Sequence, residues 1–264
     1  MPAEYRARPS DGIAWVTGAS SGIGRGVSLE LVKRGYVVVA TARRLPELEA
    51  LAREASGPGH VIPLTGDVTD QAAMEAVVDT IERQHGPVAL AFLNAGTFFQ
   101  DKAAVFDAEM VKKTFDINVG GVANGLQPLL TRMTARGQGQ VAINASVAGY
   151  GGLPTSSAYG ATKAALINMT ESLRFSMGLL GVTMQIVNPG FVGTPLTDKN
   201  AFPMPFLIPV EDAARRICDG FERGGFEIAF PRRMAWLLKV VNLLPYRFYF
   251  PVVARFTGFD RRRR

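Results

Sequence analysis

The sequence predicts an α/β fold, a doubly wound parallel sheet of about seven strands with helices on both faces. Short apolar, β-branched runs alternate with longer amphipathic segments, which indicates crossover connections between parallel strands. The chain has 264 residues, of which 47% are apolar and 20% charged, enough for a large core. Polar or glycine-rich turns follow the apolar runs, where ligands of such sheets bind.

The elements follow from the spacing of apolar residues along the chain. Apolar, β-branched runs typical of buried strands lie in 12–18, 36–41, 60–70, 88–96, 140–146, 182–190 and 226–230. Amphipathic spacing predicts helices at 23–35, 46–55, 71–86, in two segments over about 103–136, at about 157–179 and near 210–222. Val27 and Leu31 share one face of the first helix, and Gly35 ends it. Pro46 opens the second helix, and Asp70 is a suitable N-cap for the third.

Cysteine and histidine usage limits the chemistry. The single Cys218 excludes an intramolecular disulfide and suits a reducing, cytoplasmic compartment, and we expect it in the core of a late helix. Only His60 and His85 are present, so no metal site is expected. No run of eighteen apolar residues and no secretory signal is visible.

The first predicted strand runs into the turn TGASSGIG, residues 17–24, with glycines spaced GxxxGxG. Glycine lets the backbone turn sharply and approach a pyrophosphate, whose charge the N-terminus of the next helix stabilises. A tight turn without a ligand is the alternative. Its place between a strand and a helix of the first βαβ unit favours a dinucleotide site.

Further motifs follow later strands in order: GDVTD, LNAG, INVGG, INASVAG, YGATK and NPGFVGT. With TGASSGIG they make residues 12–230 resemble the short-chain dehydrogenase/reductase family in its single-domain, Rossmann-like form. The resemblance implies cofactor contacts from Gly18, Ser20, Ser21, Gly22, Ile23, Gly24, Asp67, Val68, Asn94, Ala95, Gly96, Tyr159, Lys163, Pro189, Gly190, Val192 and Thr194. Leu93 departs from the asparagine of many members, and we expect only a packing effect.

The end of the second strand indicates which nicotinamide cofactor is used. NAD enzymes usually carry a carboxylate there to hold the ribose 2′-hydroxyl. This chain offers Thr41 or Ala42, followed by Arg43 and Arg44, which could pair with a 2′-phosphate. NADP(H) is therefore favoured over NAD(H), with a solvated loop as the alternative for the two arginines.

Tyr159 and Lys163, four residues apart, share one face of a helix. A nearby ammonium and the nicotinamide charge are expected to lower the tyrosine pKa toward the working range, which makes Tyr159 a general acid or base. The family resemblance has Lys163 also hold the nicotinamide ribose and Asn118 hold a water that links Lys163 to solvent. Ser146, at a strand end, would donate to the substrate oxygen. Taken one at a time, each has another interpretation. Tyr159 and Lys163 could be surface residues, Ser146 could be a cap, and Asn118 could break a helix locally.

The segment PLTDKNAFPMPFLIP, residues 195–209, stands where the family has its substrate lid. Its apolar residues favour a hydrophobic carbonyl or alcohol substrate, with a packed connection as the alternative. The predicted substrate-binding residues are Ser146, Tyr159, Phe202, Met204 and Phe206.

Residues 1–230 are predicted to form one catalytic domain, with a flexible N-terminus over 1–11, and 231–264 a basic, aromatic extension. The extension holds nine basic residues and one acidic residue, a charge of +8, which leaves −2 of the total +6 for the rest of the chain. Pro245 and Pro251 are expected to break it into short pieces. It suits a membrane-surface element, a subunit contact or a wall of the substrate pocket. Despite the arginine run 261–264, no nucleic-acid partner is predicted.

The sequence thus predicts a cytoplasmic, NADP(H)-dependent oxidoreductase that interconverts a hydrophobic ketone or aldehyde with its alcohol. A homodimer or homotetramer is expected, and peripheral membrane contact through 231–264 stays open. The alternative function is a non-catalytic, NADP(H)-binding regulator or scaffold targeted by the extension.

Overall fold

Seven parallel strands form one sheet in the order β3-β2-β1-β4-β5-β6-β7, as the sequence predicts for the fold class. The structure, a computed structural model, describes residues 4–101, 106–197 and 204–259. The strands are β1 Ile13–Thr17, β2 Val37–Ala42, β3 His60–Thr65, β4 Val88–Leu93, β5 Gly139–Asn144, β6 Val182–Pro189 and β7 Glu227–Phe230. The helices are α1 Gly22–Lys33, α2 Leu45–Glu54, α3 Gln71–Gln84, α4 Ala108–Phe115, α5 Gly121–Ala135, α6 Ser157–Leu179, α7 Val210–Arg223, α8 Arg232–Asn242 and α9 Tyr246–Thr257.

Alternating residues of β1 pack on opposite faces of the sheet. Ala14 and Val16 belong to a core cluster with residues of α1, α2 and α7. Ile13 and Trp15 belong to a second cluster with residues of α3, α5 and α6. Because successive side chains of a strand point to opposite faces, helices on both faces bury every residue of β1.

The strand order reverses at β1, which pairs with β2 on one side and β4 on the other. Crossovers leave β1 and β4 in opposite directions, so a crevice opens beyond their carboxyl ends. This crevice is where the polar motifs come together. The edge strand β3 holds Pro63, a residue that cannot donate to a second neighbour and is therefore confined to such edges.

The helices predicted over about 103–136 are α4 and α5, joined without a break by the π-helical turn Asp116–Gly120. Residues 102–105 lie outside the described part. Single turns of π-helix are uncommon in proteins. Where they do occur, they often lie at functional sites. Here the turn contains the fully buried Asn118.

The extension forms two helices, α8 and α9. Pro245 is the N-cap of α9 and separates it from α8, as predicted. Pro251 lies inside α9, so the prediction that it also ends a helical segment is wrong. Tyr249 and Val253, on either side of Pro251, are buried, and this packing holds both halves of the helix in place. No helix among the described residues is long and apolar enough to cross a membrane. Asp260 and the arginine run lie outside the described part, and the division at residue 230 stays a prediction.

Candidate active site

The glycine turn after β1 has no room for a side chain at Gly18 and Gly24. Gly18 has φ +66°, and a Cβ there would lie 2.8 Å from the Cα of Ala95. A Cβ at Gly24 would lie 2.5 Å from Asn94 Nδ2. Ser21 is the N-cap of α1, so the first backbone N–H groups of that helix face the turn. This cradle fits the pyrophosphate of a dinucleotide.

Polar side chains at three strand ends hold the neighbouring loops together. The Thr17 hydroxyl accepts the N–H groups of Asn94 and Ala95 at 3.0 and 3.1 Å. Asn144 Nδ2 donates to Asn94 Oδ1 at 2.9 Å, and Asn94 Nδ2 donates to the Thr17 carbonyl at 3.1 Å. Sequence reasoning missed Thr17 and Asn144. Their signal was available, since both are polar residues that end apolar strands.

Tyr159 and Lys163 lie on the first turns of α6, as predicted. The Asp101 carboxylate accepts the backbone N–H of Ser157 at 2.6 Å and so caps this helix. Lys163 Nζ lies 5.5 Å from the centroid of the Tyr159 ring and donates to the Asn144 carbonyl at 2.7 Å. Lys163 is buried, whereas Tyr159 is partly exposed.

The pKa of Tyr159 differs from the sequence expectation. Burial raises the pKa of its phenol, and the interaction with the Ser146 hydroxyl lowers it by less. Burial also lowers the pKa of Lys163 to about 7. At neutral pH, Lys163 is therefore uncharged in about half of the protein molecules. The expected lowering of the Tyr159 pKa by Lys163 is therefore wrong for the protein alone, because desolvation acts on both partners.

Ser146 lies between β5 and a short 3-10 turn, Val147–Gly149. Its hydroxyl accepts the Ala148 N–H at 3.1 Å and is 3.4 Å from the Pro189 carbonyl, to which it donates. It therefore is a cap, and it also lies close enough to Tyr159 to lower the pKa of that phenol. The interpretation of Ser146 as a cap is confirmed, and its donation to a substrate oxygen stays a prediction.

Asn118 lies near Lys163, with Gly96 beside both. A Cβ at Gly96 would lie 3.2 Å from Asn118 Oδ1 and 3.7 Å from Lys163 Nζ. The amide of Asn118 accepts the Thr97 N–H at 2.7 Å and donates to the Thr97 carbonyl and the Thr162 hydroxyl, each at 3.0 Å. These bonds use both N–H groups of the Asn118 amide, and the water that would link Lys163 to solvent stays a prediction.

At the other end of the crevice, β2 ends at Ala42 without a carboxylate. Thr41 is fully buried and accepts the indole N–H of Trp15 at 2.9 Å, which removes it as a ribose contact. Arg44 Nη2 donates to Ser20 Oγ at 3.1 Å, and the exposed Arg43 lies 3.9 Å from Asp67.

Asp67 itself is fixed by the next turn. Its carboxylate accepts the N–H and the hydroxyl of Thr69 at 3.0 and 2.9 Å. The Thr69 N–H is the main cause that holds the pKa of Asp67 below its usual range. Val68 packs where a Cβ of Gly121 would stand, and its carbonyl accepts the amide of Asn124 at 2.8 Å.

The remaining predicted cofactor residues lie close to the glycine turn or after β6. A Cβ at Gly22 would lie 3.2 Å from Thr194 Cγ2, so Thr194 lies against the turn. Ile23 packs, partly buried, on the core. The Gly190 N–H, after Pro189, donates to the Phe230 carbonyl at 2.7 Å, and the buried Val192 forms a bridge with Ile208.

The predicted lid is described in part. Met204 is partly buried, and Phe206 is 55% exposed with φ +60°, a strained conformation for a bulky residue. Phe202 lies outside the described residues. An aromatic residue that sequence reasoning missed, Phe98, packs edge-on against Tyr159 at 5.1 Å between centroids. The contact with Phe98 places one aromatic ring against the candidate proton donor.

Helices α8 and α9 pack against the loop that follows Ser146. The Tyr249 hydroxyl donates to the Gly152 carbonyl at 2.8 Å, and a Cβ at Gly151 would lie 2.7 Å from Asn242 Oδ1. The Met234 sulfur lies 3.0 Å from the Cβ position of Gly190. The extension thus contacts the loop that follows Ser146 and the turn that follows β6, and the pocket-wall interpretation stays a prediction.

Comparisons with known proteins agree with this geometry. The family model for short chain dehydrogenases matches residues 12–202. An uncharacterized oxidoreductase of Myxococcus xanthus is 39% identical over 233 residues, 88% of this chain and 92% of the relative. A 3-oxoacyl-acyl-carrier-protein reductase of Thermotoga maritima is 30% identical over 188 residues, 71% of this chain and 76% of the relative.

The fold matches solved structures of the same kind. A variant of actinorhodin polyketide ketoreductase with NADPH superposes with a TM-score of 0.75 at 25% identity, over 85% of this chain and 97% of that one. The family model covers most of the chain, and the relatives are oxidoreductases. The protein therefore belongs to the short-chain dehydrogenase/reductase family and is an oxidoreductase that uses NAD(P)(H).

Proposed function

We propose that the protein reduces a hydrophobic ketone or aldehyde to its alcohol with NADPH, or catalyses the reverse reaction. The observation that carries this proposal is the meeting of Tyr159, Ser146 and Lys163 beside the glycine turn. Lys163 Nζ lies 5.5 Å from the Tyr159 ring, and the Ser146 hydroxyl acts on the Tyr159 phenol. A protein that only bound the cofactor would have no need of this set.

Support for NADP(H) comes from the end of β2. Ala42 supplies no carboxylate that would repel a 2′-phosphate. The bond from Arg44 to Ser20 brings a guanidinium and a hydroxyl together at the edge of the glycine turn. Arg43 is exposed nearby, so two cations and one hydroxyl could bind the 2′-phosphate. The ketoreductase with the similar fold was solved with NADPH.

In the proposed mechanism the glycine turn holds the pyrophosphate, and Lys163 holds the nicotinamide ribose. When bound, NADPH supplies the hydride that adds to the carbonyl carbon. The Tyr159 phenol gives its proton to the carbonyl oxygen, and the Ser146 hydroxyl donates a hydrogen bond to that oxygen as its charge develops. Asn118 positions the N-terminal part of α6, which carries Tyr159 and Lys163, through its bond to Thr162.

The raised pKa of Tyr159 is compatible with a proton donor. Burial disfavours the phenolate and so favours the protonated phenol, which is the form that gives a proton to a carbonyl oxygen.

The ring beside Tyr159 and the apolar residues of the predicted lid support a hydrophobic substrate. Phe98 packs against the ring of Tyr159, and Met204 and Phe206 belong to the segment that follows Thr194. A site of this kind gains affinity by burying apolar surface and leaves few groups for a sugar or a small acid. Reductases of acyl and polyketide carbonyls among the similar proteins agree with a carbonyl substrate.

Replacement of the proton donor tests the proposal. Tyr159→Phe is expected to bind NADPH as the wild type does and to lose about 10²- to 10⁴-fold in turnover, the usual contribution of general acid catalysis. A panel of apolar aldehydes and ketones is followed by the loss of NADPH absorbance, and binding by NADPH fluorescence. Tyr246→Phe, at an exposed tyrosine of α9, is the matched control and should keep full activity.

Two outcomes would contradict the proposal. Near wild-type turnover of Tyr159→Phe would show that another group donates the proton. NADPH binding without turnover on the whole panel would favour the regulator or scaffold.

We further propose that the enzyme works in the cytoplasm as a homodimer or homotetramer. Phe175 and Leu179, one turn apart on α6, are 74% and 76% exposed. Large apolar side chains in neighbouring positions of a helix are a surface that a second copy would cover. The single buried Cys218 suits a reducing compartment.

A further inference from the structure

The C-terminal helix pair, α8 and α9, exposes an apolar and aromatic surface. Trp236, Val240 and Leu243 recur at the spacing of one helix face and are 70%, 51% and 84% exposed. On α9, the exposed Tyr246 stacks on Phe250 with 5.6 Å between ring centroids. Exposed groups of this size on two adjacent helices mark an interaction surface.

The same helix pair is strongly basic. Residues 231–259 contain five basic residues and no acidic one. Among the ion pairs of the described residues, only Lys239 of these five has an acidic partner, Glu227. The Arg247 guanidinium lies over the Phe248 ring at 4.7 Å, so cation and aromatic ring are presented together. The positive charge is therefore available to a partner.

We propose that the C-terminal helix pair docks this enzyme on the surface of an anionic membrane. Aromatic rings prefer the headgroup region, where one side of the ring is apolar and the other wet. Arginines beside the rings pair with lipid phosphates. Near an anionic surface, each arginine contributes about 1 kcal/mol to the free energy of binding. An α8 of eleven residues is about 17 Å long and lies in the surface, since spanning takes about 30 Å.

Charge separates a lipid surface from a second copy as the occupant. A two-fold contact would place one helix pair with five basic residues against another, because isologous interfaces pair a patch with itself. Like charges facing each other weaken such a contact. The body of the chain carries only −2, so it offers little complementary charge. An anionic lipid surface satisfies both the apolar and the basic character of the pair.

The helix pair is held firmly on its other side. Tyr249 donates to Gly152, and Lys239 pairs with Glu227. The docking surface is therefore attached to the loop that follows Ser146. Docking would hold the loop that follows Ser146 close to the lipid surface.

Tryptophan fluorescence offers a direct test, since the chain holds two tryptophans in opposite surroundings. Trp15 is fully buried and bonded to Thr41, whereas Trp236 is 70% exposed. A blue shift of the emission on adding vesicles therefore reports Trp236 entering lipid. The full chain is titrated with vesicles of phosphatidylglycerol and phosphatidylcholine, and with vesicles of phosphatidylcholine alone, and co-sedimentation is measured in parallel.

We expect binding and a blue shift with the anionic vesicles, weakened by salt and largely absent with phosphatidylcholine alone. R232Q/R233Q removes two exposed cations from α8 and is expected to weaken vesicle binding about thirtyfold. R53Q/R83Q removes two cations from α2 and α3, each paired with an acid, and serves as the control that keeps wild-type binding.

Absence of both the shift and co-sedimentation with anionic vesicles would overturn the proposal. So would an equal loss of binding in the two double variants. A blue shift that grows with protein concentration without lipid, together with a larger mass in sedimentation equilibrium, would assign the surface to a second copy instead. Tyr159→Phe is expected to bind vesicles like the wild type, so this experiment does not depend on the proposed reaction.

Discussion

Arg44 connects two parts of the crevice at the scale of a single residue. Its guanidinium reaches Ser20 on the glycine turn at 3.1 Å and Glu47 on α2 at 2.9 Å. The guanidinium is thus held beside the edge of the glycine turn before any phosphate arrives. Preorganisation of this kind lowers the entropy lost on binding.

Arg44→Ala is expected to raise the Kd for NADPH about tenfold to hundredfold and to leave the Kd for NADH unchanged. A hydrogen bond to a charged group contributes about 1.5–3 kcal/mol, and only NADPH carries the 2′-phosphate. Fluorescence titrations with both cofactors measure the two constants. Arg53→Ala, an exposed arginine elsewhere on α2, is the control. Equal losses for both cofactors would mean that Arg44 does not read the phosphate.

Single-residue identities were predictable where motifs carry them, but their electrostatics were not. Tyr159, Lys163 and Ser146 come together as the sequence indicates. In the protein alone, without the nicotinamide charge, the pKa of Tyr159 is raised and not lowered, because burial depends on residues distant in the chain. Thr17 and Asn144 were missed because their role is to hold loops, which appears only when the strand ends meet.

At the scale of elements, Glu227 ties the C-terminal helix pair to the sheet. Its carboxylate accepts the Tyr150 hydroxyl at 2.6 Å and the Asn188 amide at 2.8 Å, and it pairs with Lys239 of α8. Burial opposes ionisation of Glu227, but bonds from Lys239, Tyr150 and Asn188 outweigh it and hold its pKa below the usual range. One residue of β7 thus joins β6, α8 and the loop after Ser146.

Removal of this carboxylate is expected to destabilise the fold. Glu227→Ala leaves three donors without their acceptor, and we expect the free energy of unfolding to fall by about 2–3 kcal/mol in urea titrations. Glu227→Gln keeps an acceptor and should recover part of the loss. Lys112→Met breaks an exposed pair with Glu109 and should change stability by less than about 1 kcal/mol. If Glu227→Ala lowers the free energy of unfolding no more than Lys112→Met does, the bonds to the Glu227 carboxylate do not stabilise the fold.

Element boundaries followed local signals well and failed where packing overrides them. Helix α6 runs over Ser157–Leu179, the predicted range, because an Asp101 cap and a glycine-containing turn at 181 limit it. Pro251 has a strong helix-breaking propensity, yet α9 continues through it between buried Tyr249 and Val253. Contacts with residues distant in sequence are invisible to propensity.

At the scale of the whole molecule, the buried Lys163 links stability to pH. Its pKa is about 7 in the folded protein and about 10.4 in the unfolded chain. Between these values the unfolded chain binds more protons, so the free energy of unfolding rises with pH. The slope approaches about 1.4 kcal/mol per pH unit for one proton.

Lys163→Met is expected to lack this rise. Urea titrations between pH 7 and 8.5 should show the wild type gaining about 1–2 kcal/mol relative to the variant. Their difference isolates Lys163, since the other groups that titrate in this range are common to both proteins. Lys112→Met, at an exposed lysine, should follow the wild-type profile. Parallel profiles for wild type and Lys163→Met would contradict a lowered pKa of Lys163.

The number of strands and the two-sided cover of the sheet were predictable from periodicity, since β1 packs its alternate residues on both helix layers. The order of the strands does not follow from periodicity and was not predicted. The position of α8 and α9 depends on Tyr249, Lys239 and Met234 meeting loops far away in the chain. For that reason the sequence left three interpretations of the extension open.

Cys218 lies on α7 in the core, 1% exposed, and burial raises the pKa of its thiol. A protonated, enclosed thiol reacts poorly with alkylating reagents and mild oxidants. The folded native protein is therefore expected not to react with maleimide dyes. A cysteine placed at an exposed position of α8 or α9 would be the one reactive thiol. A reporter attached there could follow the C-terminal helix pair without any other change to the enzyme.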